Sequence, residues 1–206
     1  AGEAQMVEVG VQVTLSGSGS DPDGDPISFS WELEETPIGS GAVLADQFSP
    51  TPSFIADVGG VYRAFLTVSD GKLGGTATDS VEVMVNTPPV ADAGPNQSVT
   101  AGSEVTLDGA ASVDPDGDPL TYAWELVAPS GSNAALSDPT AVTPTFTADQ
   151  AGAYTATLQV NDNRFGNSAD TVQIDVVAPG GNLPPVANAG APVEVNAGES
   201  VTLDGS

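Results

Sequence analysis

Apolar and polar residues alternate with a period of two along much of this chain. In Ile27-Ser28-Phe29-Ser30-Trp31-Glu32-Leu33 every odd position is apolar and every even one polar, so an extended strand turns Ile27, Phe29, Trp31 and Leu33 to one face. Leu120, Tyr122, Trp124 and Leu126 repeat that pattern, with Ala123 less strict. Tyr62, Ala64, Leu66 and Val68 alternate again and are matched by Tyr154, Ala156, Leu158 and Val160; Val81, Val83 and Val85 are matched by Val172, Ile174 and Val176. Helical periodicity is almost absent, and 24 Gly and 17 Pro interrupt the chain every few residues. Short alternating strands, with one Trp in each set, predict an antiparallel β-sandwich of immunoglobulin-like topology. Trp31 and Trp124 lie on the apolar side of their strands, which favours a core plug between the sheets over an exposed platform for stacking sugars.

The pattern recurs because the sequence repeats. SGSDPDGDPISFSWEL at 18–33 returns as AASVDPDGDPLTYAWEL at 110–126, NTPPVADAG at 86–94 returns as NLPPVANAG at 182–190, and VTLDG at 105–109 returns at 201–205. The period is 93 residues between Asp21 and Asp114 and 96 between Asn86 and Asn182. That is the length of a whole small domain, too long for a solenoid unit that needs its neighbours to fold. The Pro-Pro pairs at 88–89 and 184–185 favour extended, stiff joints. The expected organisation is beads on a string forming a rod: a sandwich over 1–85, a second over 86–178, and over 179–206 a linker with the first strands of an incomplete third repeat. Residues 1–18 and 189–206 both align with 93–110, which leaves strand exchange between neighbouring copies geometrically open.

Composition narrows the partners. The chain has 28 acidic and 3 basic residues, no His and no Cys, for a net charge of −25. Such a surface excludes nucleic acid and anionic membrane, both of which need basic patches, and favours hard divalent cations with oxygen ligands. Without Cys there are no disulfides or thiolate metal sites, so the domains rely on their cores, with a bound metal as an additional candidate. No apolar run reaches the roughly 18 residues of a membrane-spanning helix, and no signal peptide is evident. The chain reads as a piece of a longer secreted or surface protein.

The motif that carries chemistry is DPDGDP, which crowds Asp21, Asp23 and Asp25 together and, again, Asp114, Asp116 and Asp118. Like charges this close need a cation or backbone donors to offset them. An EF-hand loop fits at position 12, where Glu32 and Glu125 fall, but fails at position 6, where the required Gly is replaced by Pro26 and Pro119. Two readings stay open: a tight turn in which Asp caps backbone amides, and a cation-binding loop.

The second repeat, with NTPPVADAG, VTAGSEVTLDGAASVDPDGDPLTYAWEL, Gly152-Ala153-Tyr154, LQVNDN and SADTVQIDVV, resembles a PKD-type domain, the module named from polycystic kidney disease proteins, over essentially all of 86–178. Residues 1–85 match less completely and 182–206 match its opening. Many bacterial members carry WDFGDG after the Trp, where this chain has Trp31-Glu32-Leu33 and Trp124-Glu125-Leu126. The resemblance implies an immunoglobulin-type sandwich used as a spacer or adhesion module, and a Ca2+ site like that of some bacterial members. Carried over position by position, its ligands are Asn86, Asp114 and Asp162 in the second repeat, Asp21 and Asp70 in the first, and Asn182 in the third. Asp23, Asp25, Asp116 and Asp118 are supplementary ligands or turn residues.

Catalysis is not expected: there is no His or Cys, no Ser in a nucleophile-elbow context, and the acidic clusters recur once per repeat where an active site normally occurs once. The expected role is a calcium-stiffened extracellular or cell-surface repeat protein, working as a stalk, adhesin shaft or filament component. Its expected partners are other copies of itself, neighbouring repeats, an extracellular polymer or a cell-surface protein. The alternative is an accessory polymer-binding module of a secreted hydrolase, engaging polysaccharide or collagen. A binder should expose aromatics, and only Phe48, Phe65 and Phe165 stand outside the expected cores.

Overall fold

A computed structural model describes residues 1–180, and the expectations for Asn182 and for a third repeat lie outside them. Among the described residues the regular elements are strands, and no helix is long and apolar enough to cross a membrane. By their contacts the residues divide into two compact units. One holds 1–89 with 114–119 and 161–166; the other holds 90–113, 120–160 and 167–180.

In the first repeat, β1 (Gln5–Glu8), β3 (Ser28–Glu35), β5 (Gly60–Ser69) and β6 (Thr76–Asn86) form a sheet of order β1-β6-β5-β3. A second sheet pairs β2 (Gln12–Thr14) with β4 (Ser53–Ile55). β3, β5 and β6 are antiparallel neighbours, with Trp31 opposite Leu66 and Tyr62 opposite Val83. Their period-two pattern sends Trp31, Tyr62, Ala64, Leu66, Val81 and Val83 inward, where they meet Val13, Leu15 and Phe54 of the facing layer. The sandwich predicted from the alternation is therefore observed, with one addition: β1 pairs with β6 in parallel, Met6 opposite Met84. Just beyond β1, Gly10 adopts a left-handed φ of +87°, and the chain passes on to β2 in the other sheet.

The second repeat uses the same plan. Its larger sheet runs β7-β12-β11-β9, from β7 (Gln97–Thr100), β12 (Asn167–Val177), β11 (Gly152–Asn161) and β9 (Thr121–Val127). β8 (Glu104–Thr106) and β10 (Thr145–Thr147) pair across from it. β7 again joins the last strand in parallel, Ser98 opposite Asp175. Leu107, Trp124, Phe146, Tyr154, Leu158, Val160, Val172 and Ile174 form its core.

Both Trp side chains are core residues, 3 % and 5 % exposed. Each ring lies beside a glycine: a Cβ on Gly17 would sit 2.7 Å from Trp31 Cζ2, and one on Gly109 would sit 3.3 Å from Trp124 Cζ2. The buried Tyr of each repeat is tied at its tip. Tyr62 donates to Asp57 Oδ1 at 2.8 Å, and its oxygen accepts from Val58 N at 3.1 Å; Tyr154 makes the matching bonds with Asp149 and Gln150. Buried phenols keep a polar partner, and here the strand supplies it from the turn before it.

Candidate metal centre

The DPDGDP segment folds as a turn in both copies. Asp114 Oδ1 accepts from the backbone N–H groups of Asp116 (2.9 Å) and Asp118 (3.1 Å), and Gly117 N donates to Asp114 O at 3.1 Å. Asp21 makes the same three bonds with Asp23, Asp25 and Gly24. Gly24 and Gly117 have φ near +80° (+80° and +78°), a conformation that costs a side-chain-bearing residue energy and glycine almost none. The turn reading thus describes the backbone, and it consumes one carboxylate oxygen of the first Asp, leaving the other available.

The turn also concentrates charge. One carboxylate oxygen from each of Asp21, Asp23 and Asp25 lies within 4.8 Å of the others, and the same holds for Asp114, Asp116 and Asp118. Asp70 and Asp162 are not members of these two clusters. They follow directly after β5 and β11 and are held by their own loops: Asp70 Oδ1 accepts from Lys72 N at 2.8 Å, and Asp162 Oδ1 accepts from Arg164 N at 2.8 Å and Gly166 N at 3.1 Å.

Asn86, the last residue of β6, draws the second set together. Its Nδ2 donates to Asp162 Oδ2 at 2.7 Å, and the next residue, Thr87, donates its N–H to Asp116 Oδ2. Asn86, Thr87, the 114–119 turn and the 161–166 loop all fall in one compact unit. Asn86 is 4 % exposed and Asp162 2 %. Burial pushes the Asp162 carboxyl up, but the bonds from Asn86, Arg164 N and Gly166 N outweigh it and hold the group below the usual carboxylate range, so it is ionised at neutral pH.

Two oxygens in this arrangement have no partner although they are buried: Asn86 Oδ1 and Asp114 Oδ2. Buried acceptors are nearly always satisfied, and one left alone costs about 1–3 kcal/mol. An amide oxygen and a carboxylate oxygen left without partners are the kind of donor that a hard cation takes, and Asn86 is bonded to the ionised Asp162. The residues therefore fit a Ca2+ ion, and the three side chains concerned are Asn86, Asp114 and Asp162. In the first repeat Asp21 and Asp70 take the equivalent places.

The supplementary carboxylates have other engagements. Asp118 Oδ2 lies 2.7 Å from Arg164 Nε, Asp25 Oδ2 pairs with Lys72 Nζ, and Asp116 holds Thr87. Sequence reasoning missed these partners. The signal was present in the two basic residues, each placed two positions after the Asp that ends the hairpin strand. Of the three aromatics expected outside the cores, Phe48 and Phe165 are exposed at 70 % and 54 %, while Phe65 is half-buried.

A family model described as the K319L-like PKD domain matches residues 1–85 and 93–176. The chain is 36 % identical over 203 residues to the mouse (Mus musculus) dyslexia-associated protein KIAA0319-like protein, an alignment that covers 94 % of the chain and 19 % of the relative. The chain thus spans about a fifth of that relative's length. It is 33 % identical over 123 residues to chitinase A of Pseudoalteromonas piscicida, covering 60 % of the chain and 14 % of that enzyme. Among solved structures, extracellular domains 3–5 of Drosophila OTK superpose with a TM-score of 0.51 over 85 % of this chain and 59 % of that one, at 13 % identity, a likeness of fold alone.

Proposed function

The chain belongs to the K319L-like PKD domain family, and from that premise we propose that it is a non-catalytic extracellular segment, a stalk or spacer whose acidic turns bind calcium. The observation that carries the metal half of this reading is the pair of buried, unpartnered oxygens, Asn86 Oδ1 and Asp114 Oδ2, the first on the side chain that bonds the buried carboxylate of Asp162. A Ca2+ ion there would supply positive charge to both oxygens. The chain's own residues do the rest: the turn aims Asp114 by spending its Oδ1 on backbone donors, and β6 delivers Asn86 to the loop that holds Asp162. The ion would then tie together three segments far apart in sequence. Binding only to the folded state adds RT ln(1 + [L]/Kd), about 2.7 kcal/mol at a hundred times Kd.

The structural half rests on two copies of one module, each with its own closed core and its own acidic turn, on a chain whose surface charge keeps it soluble and self-repelling. Calorimetric titration of the chelator-treated chain with Ca2+, and melting with and without millimolar Ca2+, test the reading. Binding and a rise in melting temperature are expected, and Asp114→Ala and Asp162→Ala should each abolish the calcium-dependent part of the rise in the second repeat. A melting temperature indifferent to calcium and to chelator would remove the metal from the account.

One observation favours a second reading, a polymer-binding accessory module: the likeness to a chitinase over 60 % of the chain, together with exposed Phe48. Retention on chitin beads that is lost in Phe48→Ala would support it. A chain that passes through without delay leaves the stalk reading alone.

A further inference from the structure

Arg63, Lys72 and Arg164 are the whole basic complement of a chain with 28 acidic residues. Two of the three occupy the same place in the two repeats, two residues after Asp70 and two after Asp162. Both reach the same target. Lys72 Nζ pairs with Asp25 Oδ2, and Arg164 Nε lies 2.7 Å from Asp118 Oδ2, these being the third Asp of each DPDGD turn. Arg63 lies apart, pairing with Glu35 and Glu82 across the strands.

An exposed ion pair adds little stability, so stability alone is a weak account of two matched pairs. Their position suggests a better one. Each turn brings three carboxylate oxygens within 4.8 Å of one another, and the mutual repulsion of carboxylates so close is relieved by a nearby positive charge. The basic side chain supplies it from the neighbouring loop. In the second repeat the contact is sheltered, with the Asp118 side chain 15 % exposed, and it leaves the buried oxygens of Asn86 and Asp114 without a partner.

We propose that Lys72 and Arg164 are resident counter-cations of the acidic turns, holding Asp25 and Asp118 while no divalent ion is bound and competing with such an ion for the turn. Two positive charges in one cluster repel, so the basic side chain sets the calcium concentration at which the turn fills. The proposal rests on the reading of the turns as calcium sites and adds their regulation.

The chain has two arginines, which gives Nε–H resonances that can be followed without mutation. Titrating the full chain with Ca2+ at low ionic strength should move the Arg164 Nε–H signal and leave that of Arg63 in place. Calorimetry should show Arg164→Gln binding Ca2+ about tenfold more tightly at the second repeat, equivalent to about 1.4 kcal/mol, while Arg63→Gln, with the same loss of charge, changes affinity less than about twofold. In an Asp118→Asn background the effect of Arg164→Gln should vanish, since the two act as a pair. If the wild type binds Ca2+ while Arg164→Gln binds equally or more weakly and the Nε–H signal stays still, competition is overturned and the calcium reading survives. If neither the wild type nor Arg164→Gln takes up Ca2+, the calcium reading itself fails and competition falls with it.

Discussion

At the scale of single residues, Asp57 is a firmly anchored polar group. It accepts from Ser40 Oγ at 2.6 Å, Gly41 N at 2.7 Å and Tyr62 OH at 2.8 Å, and these bonds, Ser40's foremost, lower its pKa to about 2. A carboxyl whose folded pKa lies below its unfolded value adds stability that is complete above about pH 4 and is lost as pH falls through the folded value. Thermal melts should therefore drop between about pH 4 and pH 2. Asp57→Asn should lose less across that window than the wild type, and equal losses would show that this group does not drive the change. Asp149, in the matching place of the second repeat, is lowered by Ser132 and Asn133 in the same way. None of this was visible in the sequence, because Ser40 and Asp57 are 17 residues apart and nothing in an alternation pattern pairs them. The Trp residues were legible, because each sits on the apolar parity of a strand and parity alone selects the face.

At the scale of elements, long strands were read correctly and short ones were not. β5 and β11 carry four or more inward residues in strict alternation, enough to identify the period. β2, β4, β8 and β10 are three residues each, with a single buried residue apiece (Val13, Phe54, Val105 and Phe146), too few to show any period. The parallel pairing of β1 with β6 and β7 with β12 was also hidden, since alternation fixes a strand's faces but names no partner. The close approach of Gly17 to the Trp31 ring yields a test at this scale. Gly17→Ala places a methyl 2.7 Å from Cζ2 and 3.0 Å from Leu66 Cδ2, and overpacking of this kind costs about 1–3 kcal/mol. Gly109→Ala meets Leu158 Cδ2 at the same 3.0 Å but its Trp and Val142 O only at 3.3 Å, and should cost less. Denaturant midpoints of the two variants will rank them, and a reversed order would show that the second core yields less readily than the first.

At the scale of the whole molecule, charge dominates. With a net charge of −25, self-repulsion destabilises the compact state and is screened by salt. The melting temperature should rise between about 0.01 M and 0.1 M NaCl, and a fall would mean that the few ion pairs of Arg63, Lys72 and Arg164 outweigh the general repulsion. Composition, repeat and alternation were sufficient by themselves for the all-β class, the tandem organisation, the family resemblance and the acidic turns, because those depend on the order of residues within a few tens of positions. The candidate site was legible only as a set of names. That Asn86 bonds Asp162, that Asp114 keeps one oxygen buried and unpartnered, and that Arg164 and Lys72 answer the third Asp of each turn were decided by the tertiary structure. These contacts join residues up to 76 positions apart, and only closure of the β-sandwich brings such groups within hydrogen-bonding range.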